Sequence, residues 1–397
     1  MSGFWRRFRP HFRVVYLTIT LLVLIVFAPI IMKMTTTSAG DYLAHKEFAD
    51  RMLATGSLNT PHFLLHLVMN CVRQLFRISL DAATITSLLL AYVATALVIG
   101  HKLLKEADRP YLSSYLCIAL LVAAPIQLAT FLDGHLYFGY IQSNVYHNPT
   151  IIMLKPLALF SFFYAARAIS GNRQATNEFA SLLACGLITV AAALTKPSLT
   201  ICILPALVIY GFIRVMQHQP FDWKLLLFGF ITPALLILAF QYWMTYSESQ
   251  TAGVSPEKSS IIFAPLAVMQ VYSPSWLQIK LLLSILFPLT VLLTHLKTIT
   301  KDHRLLFAWL LFFVGASYSY LLAESGPRFR HGNFGWSGQI TLFILFVQSA
   351  IFLVHSQQTM SEGSRIRTYC CHAVLFLHVV AGAVFYWTEY FSPEMYW

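Results

Sequence analysis

Long apolar runs alternate with short polar segments along this chain. Runs of about 17–25 residues, the length that crosses a bilayer, fall at roughly 14–32, 83–104, 112–132, 149–169, 179–195, 198–216, 224–246, 276–296, 304–323, 336–355 and 371–390. A further stretch, about 61–79, carries His62, His66, Asn70, Arg73 and Arg77. Those polar and charged residues exclude it as a span. The pattern predicts an all-α polytopic membrane protein with about eleven transmembrane helices. They form a single transmembrane domain over 1–397, with no soluble C-terminal domain.

Composition sharpens this. The chain is 57% hydrophobic and only 11% charged, against roughly 25% charged for a soluble protein. That cannot cover a water-facing surface, so a soluble enzyme, a disordered chain and a fibrous repeat are excluded. The six cysteines include no C-x-x-C pair, which argues against a zinc ribbon or a disulfide framework.

The net charge of +11 could suggest nucleic acid until it is sorted by side. With the N-terminus in the cytoplasm, the inner segments hold sixteen Lys or Arg and six acids, the outer segments nine and ten (counting Glu389 at the outer end of the last run), and Lys155 and Lys280 lie inside runs. Counting 61–79 as a span would reverse every later loop. The positive charge is therefore an orientation signal, facing anionic membrane lipids, and no nucleic-acid partner is expected. WRRFRPHFR precedes an apolar run ending in IIMKMTTT. With no small-residue cleavage site, it reads as an uncleaved first span.

The substantial outer loops are 33–82, 247–275 and 324–335. In the first, Ser38 followed by Asp41 resembles a capping box opening a helix that Gly56 ends. Asp41 and His45 share a face, as do Glu47 and Arg51. A second helix is expected from Thr60 and Pro61. Its polar residues, His62 to Arg77, recur near the helical period, which suggests an interfacial helix with its basic stripe toward water. Asp41 is then either a cap or a reactive carboxylate. His62 and His66 have the spacing of a zinc pair but lack the intervening glutamate.

Lys155 and Lys196 each precede proline within or between apolar runs. Lys155 either snorkels or serves function, and Lys196 sits in a turn too short to reach far. Lys280 is expected to snorkel. The late loop AESGPRFRHGNFGWSG gathers Glu324, Arg328, Arg330 and His331 among glycines and aromatics. Forked guanidinium groups beside permissive backbone suit a phosphate-bearing ligand. The 247–275 loop reads as a flexible segment followed by an interfacial helix that could act as a lid. Asp133, His135 and His147 border the third and fourth spans and could face the same cavity.

The stretches GDYLAHKEFADRMLATG, TPHFLLHLV, NPTIIMLKPLAL, LTKPS and ESGPRFRHGNFGW together resemble the GT-C superfamily of lipid-linked-sugar glycosyltransferases. The resemblance follows the order of the motifs over most of the chain, and the position of Asp41 carries most of it. It implies transfer of a sugar from a polyprenyl-phosphate donor to a lipid or glycan acceptor hydroxyl, at the outer face of a bacterial inner membrane. Asp41 would be the general base. Lys196, Arg328, Arg330, His331 and Lys155 would contact the donor phosphate or substrate, with His45, His62, His66, Asp133, His135 and Glu324 as further site candidates. Asp41 is followed by Tyr42 where many members carry paired acids, so the resemblance leaves a divalent metal (magnesium or manganese) open. Competing readings are an O-antigen polymerase or ligase, and a lipid or solute transporter (flippase).

Overall fold

The computed structural model describes residues 10–58, 60–107, 109–171, 177–246, 259–357 and 365–392. The N-terminal arginines 6, 7 and 9, Arg173, and the polar part of the 247–275 loop read as flexible lie outside them. The protein is an all-α integral membrane protein. Among the described residues, ten helices are long and apolar enough to cross a membrane.

The crossing elements are α1 (Pro10–Thr36), α4 (Leu80–Glu106), α5 (Pro110–Val122) with its continuation, α7 (Pro149–Ser170), α8 (Glu178–Thr195), α10 (Thr232–Tyr246) with a preceding π-helix, α12 (Leu277–Thr294), α14 (His303–Leu321), α15 (Gly335–Ser356) and α16 (Arg365–Phe391). Between them lie α2 (Tyr42–Thr55), α3 (Leu64–Phe76), α6 (Thr130–Asp133), α9 (Thr200–Met216), α11 (Ala267–Tyr272) and α13 (Leu296–Ile299). α15 is buried along nearly its whole length, so it is the bundle's central helix. Polar caps fix several starts: Ser79 accepts from the Ala82 amide, Asn148 from Ile151, and Asp302 from Arg304 and Leu305.

α9 has 17 residues, about 26 Å at 1.5 Å per residue. Its leading turn meets α15, where Ser337 Oγ donates to the Ser198 carbonyl at 3.3 Å. Its last turn meets the start of α14, with Arg214 3.1 Å from His303 Nε2. It therefore runs the length of α14.

The structure corrects several expectations. The third span is not one continuous helix. α5 stops at Val122, ahead of Pro125, which lacks an amide hydrogen. The backbone freed there is bonded inside the protein: the Ala124 amide donates to His378 O at 3.0 Å and the Ile126 amide to Leu283 O at 3.3 Å. Glycine at 382 permits this, since a Cβ there would lie 1.9 Å from the Val122 carbonyl oxygen. A 3-10 turn (Gln127–Ala129) and α6 follow. The non-helical strap 139–148 then runs buried to α7.

The first loop also departs from expectation. Ser38 adopts a left-handed conformation (φ 52°) instead of capping, and α2 begins at Tyr42. Gly56 ends it as expected, and Glu47 pairs with Arg51 at 3.1 Å. α3 starts at Leu64, not Pro61, whose carbonyl accepts from Gln241 Nε2. The polar stripe of α3 turns to α2 rather than to water, except at its end, where Arg77 is exposed. His66 and Asn70 are buried, with Asn70 donating to the Ala49 carbonyl of α2, while Leu67, Leu75 and Phe76 are exposed. The stripe satisfies α2, and the apolar side faces outward.

Neither Lys155 nor Lys280 snorkels. Lys155 is 1% exposed and donates to Asn144 Oδ1 at 2.5 Å. Asn144 in turn bonds the Leu120 and Ala123 carbonyls that end α5. Lys280 is fully buried and donates to Asp133 at 2.5 Å, Ser273 at 2.7 Å and the Phe138 carbonyl at 3.0 Å. Lys155 braces the strap, and Lys280 braces the Asp133–Phe138 stretch just before it. An unexpected antiparallel ribbon pairs β1 (Ile261–Phe263) with β2 (Leu322–Glu324), tying the middle outer loop to the late one.

Candidate functional site

A cavity of about 690 Å³ opens between α2, the strap, α11 and the late loop. It lies where α1, α8 and α14 end and α7 and α15 begin, so all its walls come from one end of the bundle.

Asp41 lines this cavity. It occupies the N-cap position of α2 without capping it. Its amide donates to the His147 carbonyl at 3.1 Å, and its Oδ2 accepts from Asn148 Nδ2. The Asn148 oxygen already accepts from the Ile151 amide at 3.0 Å and from the Thr150 hydroxyl at 2.6 Å. The cap of α7 therefore decides which end of the Asn148 amide faces Asp41. Gly40 makes the approach possible: its φ is +56°, and a Cβ there would lie 2.8 Å from His147.

Lys196 joins the same network. Its Nζ donates to Thr150 Oγ1 at 3.1 Å and lies 4.6 Å from the centre of the Trp336 ring. Burial pulls the Lys196 ammonium down to about 8, against the opposing charge of Asp41. A bonded path thus runs from Lys196 through Thr150 and Asn148 to Asp41.

His45 and His62 also line the cavity, and His66 lies behind them. His45 Nδ1 and His66 Nε2 are 2.8 Å apart, so His66 pairs with His45 rather than His62. Burial, then His66, Lys196 and His62, hold the His45 imidazole well below its usual range. Burial, with Lys196, His66 and Arg328, pushes His62 to about 3, and burial pushes His66 to about 4. All three are neutral at pH 7.

Glu324, Arg330 and His331 line the far wall. Arg328 does not. Its Nε donates to Glu324 at 2.7 Å, and Asn333 and Tyr246 bond the same carboxylate. Glu324 is thereby the organiser of the late loop, while Arg330 remains exposed at the mouth. Tyr272 of α11 donates to the Arg330 carbonyl and stacks on Phe138 at 4.9 Å. α11 thus covers one side of the cavity. Lys155, Asp133 and His135 are not part of the lining. Lys155 holds the strap through Asn144, Asp133 holds Lys280, and the amide of His135 donates to Asp133 at 3.1 Å.

Asn148 and Glu389, which back the cavity beside His147, were not singled out from the sequence, whereas His147 was read as able to face it. His147 lines it, and its Nδ1 is 2.7 Å from Glu389 Oε1 of α16, with both side chains buried. Burial pulls the His147 imidazole down, but the charge and hydrogen bond of Glu389, aided by Asp41, outweigh it and leave it raised. Asn148, directly before Pro149, carries a cap signal. Glu389, an acid inside an apolar run, carries the signal of an ionisable group at membrane depth.

A divalent metal does not fit the described residues. No group of three or more His, Cys, Asp or Glu among them is placed to hold one. Around Asp41 the neighbours are an amide, a lysine and histidines whose close approach is to each other. In comparison with known proteins, no family model matches the chain and no curated protein matches it.

Proposed function

We propose that this protein is a GT-C-type membrane glycosyltransferase that moves a sugar from a polyprenyl-phosphate donor to an acceptor hydroxyl on a lipid or glycan. It crosses a bacterial inner membrane eleven times, α9 included, with the N-terminus in the cytoplasm and the cavity facing the periplasm. The observation that carries this reading is that Asp41 and Lys196, joined through Asn148 and Thr150, share one cavity with Arg330 and His331.

Asp41 takes the proton of the acceptor hydroxyl. The acceptor oxygen bonds to the anomeric carbon as the carbon–oxygen bond to phosphate breaks, and the electron pair leaves on the polyprenyl phosphate. Opposite-face attack inverts the anomeric centre. Lys196, charged below pH 8, and Arg330 face the developing phosphate charge from fixed positions. Phosphate is a good leaving group, so the site needs a base and cations more than a strong acid. Orientation follows from the positive charge of the opposite end, where Lys102, Lys105, Arg214, Lys224 and Arg304 lie.

The test is mass spectrometry of lipids that copurify with the full chain in mild detergent. A bound polyprenyl phosphate or its glycoside is expected. Only bulk phospholipid, together with no uptake of added polyprenyl phosphate, would refute the reading.

A further inference from the structure

We propose that Glu389 is a positioning residue for Asp41, acting through His147. The inference rests on the reading of Asp41 as the base. Residues 40–42 meet residues 146–148 at several points. Tyr42 Oη donates to the Tyr146 carbonyl at 3.1 Å, the Asp41 amide to the His147 carbonyl at 3.1 Å, and Asn148 to the Asp41 carboxylate. Gly40 packs on the His147 backbone and Cβ. The Asp41 turn and the end of the strap therefore move as one piece.

That piece is tied to the last helix by the His147–Glu389 bond of 2.7 Å. Around it, Tyr146 packs on Phe385 and Tyr386, with ring centres 6.0 Å and 5.4 Å apart. Apolar packing alone would hold the strap against α16. A buried acid there adds no stability that hydrophobic packing could not supply, so its place beneath the base calls for a specific role. Its second oxygen, Glu389 Oε2, has no hydrogen-bond partner among the described residues. The interaction with His147 is thus the principal satisfaction of the carboxylate.

The charged and titratable groups around His147 come from every neighbouring element. They are Glu389 of α16, Asp41 before α2, Tyr42 of α2, Lys196 of the α8–α9 turn, Tyr137 before the strap and Tyr146 within it. Glu389 and Asp41 favour the imidazolium, while burial and Lys196 oppose it. Removing the Glu389 charge leaves burial dominant. The ring's hold on its proton then weakens, and with it the hold of α16 on the Asp41 turn.

The experiment follows the Asp41 carboxyl directly in the full chain, in nanodiscs. A water-soluble carbodiimide labels it, and peptide mass spectrometry reads the rate relative to wild type. Glu389→Gln is expected to label Asp41 at least fivefold faster than wild type, and Glu389→Asp, which keeps the charge, is expected to stay within twofold of it. Histidine ¹⁵N spectra, assigned with His147→Gln, are expected to show His147 keeping its proton to higher pH in wild type than in Glu389→Gln. In transfer assays with a synthetic polyprenyl-phosphate glucose, Glu389→Gln lowers kcat at least tenfold at pH 8 and leaves KM within twofold. Equal labelling of Asp41 in wild type and Glu389→Gln, or a His147 that titrates alike in the two proteins, would each overturn the proposal. Labelling and spectra need no turnover, so they decide it even if wild type transfers no sugar.

Discussion

The side-chain amide of Asn148 donates to Asp41 while its oxygen caps α7. One residue thus starts a membrane helix and aims the candidate base. Asn148→Asp separates the two duties, because aspartate still caps but repels Asp41 instead of donating to it. It is expected to keep the melting temperature within a few degrees and to lower the transfer rate roughly 10²-fold. Asn148→Ala is expected to lose the rate and also about 1 kcal/mol of stability from the missing cap. Initial rates and thermal melts on the two variants check this.

Lys196 gives donor binding an alkaline limit. Its ammonium is held down to about 8 by burial, so the cation that faces phosphate is present below pH 8 and lost above it. Affinity for a polyprenyl phosphate is expected to fall about tenfold per pH unit above pH 8, measured by equilibrium binding. Lys196→Arg keeps its charge and is expected to remove that limit. Lys196→Met is expected to bind weakly at every pH.

The histidine cluster gives stability an acid limit. His66 is lowered from 6.5 to about 4 by burial. Between those values the unfolded chain binds more protons than the folded one, so stability rises with pH across that window and falls on acidification through it. Melting temperatures are expected to hold from pH 8 to 7 and to drop between pH 6.5 and 4. His66→Gln is expected to flatten the drop, even if its stability at pH 7 is lower.

Gly40→Ala tests the fit of the Asp41 turn against the strap. The left-handed φ of +56° and the 2.8 Å approach to His147 leave no room for a methyl group. The left-handed backbone alone costs about 1–2 kcal/mol. The turn must also shift, so activity is expected to fall by more than stability does, as read from rates and melts of the same preparation.

The helices were legible because a bilayer demands long apolar runs, and their order placed Asp41, Lys196, Arg330 and His331 at one end. The break after Val122 was harder to read, because its cause lies partly in α16. His378 and Gly382 satisfy and admit the unwound backbone from far along the chain. The orientation of α3 was misread because periodicity locates a polar stripe without saying whether it meets water or another helix. Lys280 was read as snorkelling, and Lys155 was left open between snorkelling and function, because their partners, Asp133 and Asn144, lie in segments that carry no periodic signal. The His147–Glu389 pair spans most of the chain. Each half was visible as a polar residue beside an apolar run, but their meeting was not.

The decisive comparison is the single-turnover rate of Asp41→Asn against wild type. Both are purified in nanodiscs, loaded with the same polyprenyl-phosphate sugar and shown to bind it equally. Asparagine keeps the shape but cannot accept the acceptor's proton, so the rate should fall at least 10²-fold. The wild-type product should carry the inverted anomer. An Asp41→Asn protein that transfers at the wild-type rate, or a wild-type product with retained configuration, would contradict the role of Asp41 as base in an inverting transfer.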